Sequence, residues 1–282
     1  MNLISAFTAS TPFSEEQLLA RHQKALELAH LAGEQLIAAR SSGEFSSEFK
    51  DHHELVTSCD QQVDAFLTQA LQAAFPEDVI LSEELAPDTQ AADAAEALWI
   101  LDPIDGTVNF AHGQVHVAVS IGFYHRGQPL IGVVHAPFLQ ETYTAIRGQG
   151  AFLNGEPIAV SGLTHFRNAL IATGFPYEKS QLSHLINRLA YVLPECQDIR
   201  RCGSAALDLC HVAQGRLDGY YESLSLWDFA AAILIAEEAG AKLAHLYPDP
   251  HRSFYLDTRD WVVSTPDIHQ DLIELLLEAD AP

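Results

Sequence analysis

The sequence predicts an α/β protein of layered helices and sheets, built as two closely packed domains, 1–160 and 161–282. Three observations predict it. Two stretches of helical spacing open the chain, successive antiparallel strands with tight turns occupy residues 117–146, and strand-like and helix-like stretches alternate beyond Leu163. A chain of 282 residues is long enough for such cores, and no repeat, low-complexity segment or linker interrupts it.

Ser14-Glu15-Glu16-Gln17 has the form of a capping box. Leu18, Leu19, Ala25, Leu28, Ala29, Ala32, Leu36 and Ile37 then repeat at helical spacing, predicting a long amphipathic helix that ends near Ser41-Ser42-Gly43. Glu44 to Leu55 is polar and reads as a surface loop, with Lys50 on it and a site beneath as the sharper expectation. A second helix starts around Ser58 to Asp60 and runs to Phe75, with Val63, Phe66, Leu67, Ala70 and Leu71 on one face. Val79-Ile80-Leu81 is a short strand that stops at Ser82-Glu83-Glu84. Trp99-Ile100-Leu101 reads as a buried strand, and the Asp-Pro and Asp-Gly pairs in Asp102-Pro103-Ile104-Asp105-Gly106-Thr107 mark its end. Val117–Tyr124, Leu130–Ala136 and Glu141–Ile146 follow as antiparallel strands, the first two joined by Arg126-Gly127-Gln128-Pro129. Gly148, Gly150 and Asn154-Gly155 are turn signals around one more short strand.

Beyond Leu163, Ala169–Thr173 is strand-like and Ser180–Val192 helix-like. Ile199–Cys202 reads as a strand feeding a turn at Gly203, and Ser204 caps a helix to Ala213. Leu217–Tyr221 is a strand, Asp228 opens a helix to Ala239, and a last helix runs from Pro266 to Ala279 with proline in its first turn.

The formal net charge is −23, from 38 acidic and 15 basic residues. Such a surface repels nucleic acid and anionic membranes, which argues against both as partners. It repels a phosphorylated substrate too, unless cations reverse the potential locally. Cys59, Cys196, Cys202 and Cys210 form no CxxC pair, which fits reduced thiols in a cytoplasmic protein. Cys196, Cys202, Cys210 and His211 match no common zinc spacing. MNLISAFTAS lacks the basic region and apolar core of a signal peptide, and no apolar run approaches the ~18 residues of a membrane span.

The chemistry concentrates at Asp102 and Asp105, three residues apart across a proline turn. Two carboxylates so close repel unless a cation or a shared proton neutralises them. One reading is a divalent-cation site at a strand end, with Gly106 and Thr107 offering amides and a hydroxyl to an anion; the other is an ordinary polar turn. Asp60, Glu83 and Asp228 also sit where an apolar element stops or a helix begins. Singly, Asp60 and Asp228 fit helix N-terminal acids and Glu83 a solvated neighbour of Glu84. Together the five supply the all-oxygen donor set that magnesium prefers. No serine or cysteine nucleophile stands in a persuasive setting, since Asp60 beside Cys59 disfavours a thiolate. His112 and His116 read as structural or surface residues.

Glu83-Glu84 after a strand, then Asp102-Pro103-Ile104-Asp105-Gly106-Thr107-Val108-Asn109-Phe110, then Trp227-Asp228 with Ala230-Ala231 and Glu238-Ala239-Gly240, resemble the inositol monophosphatase family. Leu55-Val56-Thr57 with Asp60, Gly150-Ala151-Phe152-Leu153-Asn154-Gly155 and Gly203-Ser204-Ala205-Ala206 extend the resemblance over about residues 14 to 265. It implies a five-layer α-β-α-β-α sugar-phosphatase fold, with a mainly antiparallel N-terminal sheet and a second mixed domain. It implies a magnesium-dependent phosphomonoesterase acting on a small polyol phosphate, with myo-inositol 1-phosphate the nearest family substrate, and often a homodimer.

By the same resemblance Glu83, Asp102 and the Ile104 carbonyl hold a first Mg2+, Asp102, Asp105 and Asp228 a second, and Glu83 a weaker third. Gly106 and Thr107 contact phosphate through backbone amides, Asp60 and Thr107 activate the attacking water, and Lys50 lies near the site. Glu83 thus counts with Asp60 and Thr107 among the catalytic residues. Glu222, Gly203, Ser204 and Ala205 fall where the family contacts substrate hydroxyls.

The chain departs from the family at Val108, where a threonine is usual, and at Ala232 and Ala241, where glycine is frequent. The Glu222–Trp227 segment is one residue shorter than in the inositol-specific members, which affects the reading of the alcohol. Rival enzymes are a fructose-bisphosphatase and a nucleotidase for adenosine 3′,5′-bisphosphate. The latter needs an adenine wall, for which Gly174-Phe175-Pro176-Tyr177 and Arg200-Arg201 are candidates. A degenerate relative that binds RNA or a protein instead is expected to lose a metal ligand or gain a basic patch, and the sequence does neither.

Overall fold

The computed structural model describes residues 12–43, 45–50, 54–85, 89–175 and 182–281. Helix α1 (Glu15–Ser42) starts at the expected capping box, where the Gln17 amide donates to Ser14 Oγ and the Ser14 amide to Gln17 Oε1. It ends at Gly43, whose φ of 70° lets its amide turn back to the Ala39 carbonyl. The segment expected to be a loop is partly a two-stranded antiparallel ladder, β1 (Ser47–Lys50) with β2 (Glu54–Thr57). The sequence hides this ladder because the described side chains of β1 are exposed, so no apolar alternation marks it. Lys50 ends β1, and its side chain lies outside the described residues, as do residues 51–53.

Next come α2 (Ser58–Ala74), β3 (Val79–Ser82), α3 (Thr89–Ala94), β4 (Ala97–Asp105), α4 (Thr107–Ala111), β5 (Ala118–His125), β6 (Gln128–Ala136), β7 (Glu141–Ile146), β8 (Ala151–Leu153) and β9 (Glu156–Ile158). Strands β3 to β9 form one sheet in sequence order, parallel only between β3 and β4. Strand β4 does not stop at Asp102: its pairing with β5 resumes at Asp105↔Ala118 after a register shift. That bulge re-aims the two carboxylates without ending the ladder.

The second sheet is built from β10 (Leu170–Thr173), β11 (Asp198–Arg200), β12 (Gly219–Glu222), β13 (Lys242–His245) and β14 (Trp261–Ser264), in the order β11-β10-β12-β14-β13. Its helices are α5 (Leu182–Val192), α6 (Ala205–Ala213), α7 (Leu226–Glu238) and α8 (His269–Asp280). Strands β13 and β14 are not among the sequence expectations. Helix α7 begins before Asp228, with Ser225 as cap and Asp228 in its first turn. Pro266–Ile268 is a 3₁₀ turn that leads into α8.

Three apolar clusters order these elements into layers. Leu28, Leu36 and Leu67 of α1 and α2 pack on Trp99, Phe123 and Val133 of the first sheet. On its other face Ile100, Tyr124 and Val134 meet Leu209, Phe229 and Ile233 of α6 and α7, which in turn meet Tyr220, Trp261 and Val263 of the second sheet. Leu272 and Leu276 of α8 cover the far face over Ile171, Tyr221 and Val262. The order is α-β-α-β-α. Burying both faces of both sheets is what places the C-terminal ends of β4 and β12 and the N-terminal ends of α6 and α7 around one cavity.

Candidate active site

Four elements converge on that cavity of about 170 Å³, whose walls include Glu83, Asp102, Ile104, Asp105, Gly106, Thr107, Gly203, Ser204, Ala205, Glu222 and Asp228. A roomier groove of about 570 Å³ between α5 and α8 is lined by charges of both signs, Arg167 with Glu195, Asp271, Glu274 and Glu278. The smaller cavity instead sets Glu83, Asp102, Asp105, Asp208, Glu222 and Asp228 around one basic side chain among the described residues, Arg201.

Asp102 is buried, and one carboxylate oxygen accepts the Ile104 amide at 3.0 Å. Burial drives its pKa well above the carboxylate range, and Glu83, Asp105, Asp228 and Asp60 push it further. Asp105, also buried, is turned onto the start of α6, where it accepts from the Ser204 hydroxyl and from the Ala205 and Ala206 amides at 3.1 and 2.9 Å. Burial still raises it to about 6, against those hydrogen bonds. Asp228 is fixed in the first turn of α7, its carboxylate accepting the Ser225 amide at 2.8 Å. Among the described residues no three Asp, Glu, His or Cys side chains form a closed coordination cage.

A second set of contacts is built on α2. Asp60 is fully buried and accepts the Thr57 amide and hydroxyl through Oδ2, at 2.8 and 2.6 Å. Its Oδ1 stands 3.0 Å from the Thr107 hydroxyl, which also has the Ile104 carbonyl at 3.1 Å. Burial raises Asp60 while these hydrogen bonds oppose the shift. Gly106 precedes α4 with φ of 95°, and a Cβ there would come within 2.8 Å of the His116 carbonyl. Glycine is required twice over, by dihedral and by space.

On the opposite wall the Tyr220 hydroxyl donates to Glu222. The Glu222 carboxylate lies where a Cβ on Gly174 would stand, within about 2 Å. The proposed adenine wall is half realised. Arg201 stacks over Phe175 at 5.2 Å and both line the cavity, whereas Arg200 pairs with Asp198 at the surface. Pro176 and Tyr177 lie outside the described residues. His112 and His116 do not line the cavity, and the His116 ring packs edge-on against His211. Burial, with Asp60 beside it, pushes the Cys59 thiol up to about 11, far from a nucleophilic thiolate.

Tyr220, Leu224, Ser225 and one acid, Asp208, line the cavity without having been singled out from the sequence. Asp208, on α6, is buried, contacts Cys202, and is raised to about 8, mainly by burial. Its signal was there: a single acid within the otherwise apolar run Ala205 to Cys210.

Known proteins are similar to this chain in sequence and in fold. The chain is 40% identical over 220 residues to the protein described as Nus factor SuhB of Pseudomonas aeruginosa, covering 73% of this chain and 81% of that one. The structure of inositol monophosphatase from Anabaena (Nostoc) sp. PCC 7120 superposes with a TM-score of 0.80 at 32% identity, over 93% of this chain and 96% of that one. The structure of SaIMPase-II with inositol monophosphate bound gives 0.76 at 26% identity, over 92% and 94%. The model of the inositol monophosphatase family matches residues 19–281, and with the layered fold and acid-walled cavity it establishes that the chain belongs to that family of phosphoric monoester hydrolases.

Proposed function

We propose that the protein is a magnesium-dependent phosphomonoesterase that releases inorganic phosphate from a small polyol phosphate, with myo-inositol 1-phosphate the leading substrate. The observation that carries this reading is Asp102, a buried carboxylate amid the charges of Glu83, Asp105, Asp228 and Asp60, in a cavity whose one basic side chain among the described residues is Arg201. Carboxylates and a carbonyl with no nitrogen or sulfur suit a hard cation such as Mg2+. Glu83, Asp102 and the Ile104 carbonyl would hold one ion, Asp102, Asp105 and Asp228 a second, and Glu83 would reach a weaker third. When bound, such ions polarise the phosphoryl group, acidify water and stabilise the departing alkoxide.

The chain's own groups do the rest. The Thr107 hydroxyl gives its hydrogen to Asp60, which leaves its oxygen as an acceptor that orients the attacking water. The Gly106 and Thr107 amides receive phosphate oxygens. Gly203, Ser204, Ala205 and Glu222 take the alcohol, with Glu222 accepting hydroxyl hydrogens.

The Arg201–Phe175 stack favours a second reading, a nucleotidase for adenosine 3′,5′-bisphosphate. Against it, that side of the cavity presents Asp208 and Glu222 and, among the described residues, no second basic side chain to take a second phosphate. The description of the Pseudomonas relative raises a third, assembly with transcription machinery, and a surface of net charge −23 disfavours direct contact with nucleic acid.

Phosphate release with and without Mg2+, across inositol phosphates, sugar bisphosphates, adenosine 3′,5′-bisphosphate and NADP, separates these readings. We expect activity on an inositol monophosphate only with Mg2+, and a loss on the order of 10²-fold or more in Asp105→Asn. Magnesium-independent release, or full activity of Asp105→Asn, would sink the metal assignment.

A further inference from the structure

We propose that Asp64 is a positioning residue that sets the Glu83 carboxylate for a divalent cation by clamping the turn that carries it. The inference rests on the metal reading above, because it acts through a proposed ligand. Asp60, Asp64 and Thr68 stand one helical turn apart on α2, so they share one face. Asp60 reaches Thr107 at the nucleophile side. One turn on, Asp64 has no exposed surface, yet its partners are not cationic: Oδ2 accepts the Glu84 and Leu85 amides at 2.9 and 3.1 Å, and Oδ1 accepts the Thr68 hydroxyl at 3.0 Å.

Those two amides belong to the residues that follow Glu83 where β3 ends. On its other side the Glu83 amide donates to the Leu101 carbonyl, one residue before Asp102. The main chain of Glu83 is thus gripped between β4, which bears Asp102, and α2, which bears Asp60. Freed from Asp64, the turn would keep the Leu101 contact and lose two hydrogen bonds that hold the direction in which Glu83 leaves the strand. Among the described residues Asp64 has no ion pair, so charge pairing does not account for burying an acid there. Anchoring a ligand-bearing turn does, since outer hydrogen bonds orient the groups that hold a metal.

The test is Mn2+ binding, measured by calorimetry on metal-stripped full-length protein, together with hydrogen exchange at the Glu84 and Leu85 amides. Asp64→Ala is expected to weaken Mn2+ binding by roughly 10- to 100-fold and to speed exchange at both amides. Asp64→Asn keeps an oxygen for the amides and a partner for Thr68, so it should recover affinity to within about threefold of wild type. A merely structural role would lower thermal stability and leave the affinity of the folded protein unchanged. If Asp64→Ala does not fold, Asp64→Ser, whose shorter side chain cannot span to both amides, takes its place with the same expectation. Unchanged affinity in the Ala or Ser variant overturns the positioning role while the metal reading stands. Wild-type protein that binds no Mn2+ overturns the metal reading and this inference with it.

Discussion

At the scale of single residues the site is a problem in keeping carboxyl groups close together out of water. Glu222 fits against the backbone only because residue 174 is glycine, and burial raises its pKa to about 7. Asp208 goes further, to about 8, with its Oδ1 buried and without a hydrogen-bond partner among the described residues. The folded protein thus holds the Asp208 proton at pH values where the unfolded chain, at its ordinary 3.8, has lost it. The folded state binds more protons across that window, so the contribution of Asp208 to stability is complete below about pH 4 and falls as pH rises through about 8. Asp208→Asn cannot ionise and escapes this loss. The melting temperature of Asp208→Asn minus that of wild type should therefore climb between pH 4 and pH 8. A difference that is flat or falls with pH would show that Asp208 is not held protonated by its surroundings.

At the scale of elements, α7 carries Asp228 into the site and needs a flat seat. Gly122 of β5 and Gly132 of β6 are register partners, and Ala230 and Ala231 of α7 rest on them. A Cβ on Gly132 would meet the Ala231 carbonyl oxygen at 2.3 Å, and that atom is backbone within a helix, so only movement of α7 relieves the clash. Gly132→Ala should cost about 1–3 kcal/mol in urea unfolding, in the range of overpacked cores, and weaken Mg2+ activation through the displaced Asp228. Wild-type stability in this variant would mean that α7 is not seated on the glycine pair. Nothing in the linear sequence links Gly132 to Ala231; the contact exists only once β6 and α7 are folded. The elements that the sequence did disclose carry local chemistry: the Ser14 box, Gly43, the Ser204 cap and the Arg126–Gly127 turn. Strands β13 and β14 were missed because their pattern is set by a sheet whose other members are distant in sequence. Asp105 and Glu83 lie at strand ends marked by turn residues, as the sequence suggests, whereas Asp102 sits inside β4, where the Asp-Pro pair marks a bulge and not an end.

At the scale of the whole molecule, a net charge of −23 and a cavity walled by acids act in the same direction. The folded state gathers carboxylates that the unfolded chain keeps apart, so folding carries an electrostatic cost that a bound cation removes. A ligand that binds only the native state stabilises it by RT ln(1 + [L]/Kd), about 2.7 kcal/mol at a hundredfold excess over Kd. Mg2+ should therefore raise the melting temperature of the wild type, and EDTA should reverse the gain. General screening of the acidic surface would also raise it, so the decisive comparison is KCl at matched ionic strength. Screening alone predicts equal shifts for the two salts and for every site variant. A specific site predicts a larger shift with Mg2+, saturating at millimolar concentration or below, and reduced to the KCl level in Asp102→Asn. Asp102→Asn, which removes a buried acid that four neighbouring carboxyl groups oppose, should itself be more stable than wild type in EDTA, because it lifts the repulsion that the cation would otherwise cancel. Stability gained without metal and lost with it, in one substitution, is the signature of a fold that holds its acids together for a cation.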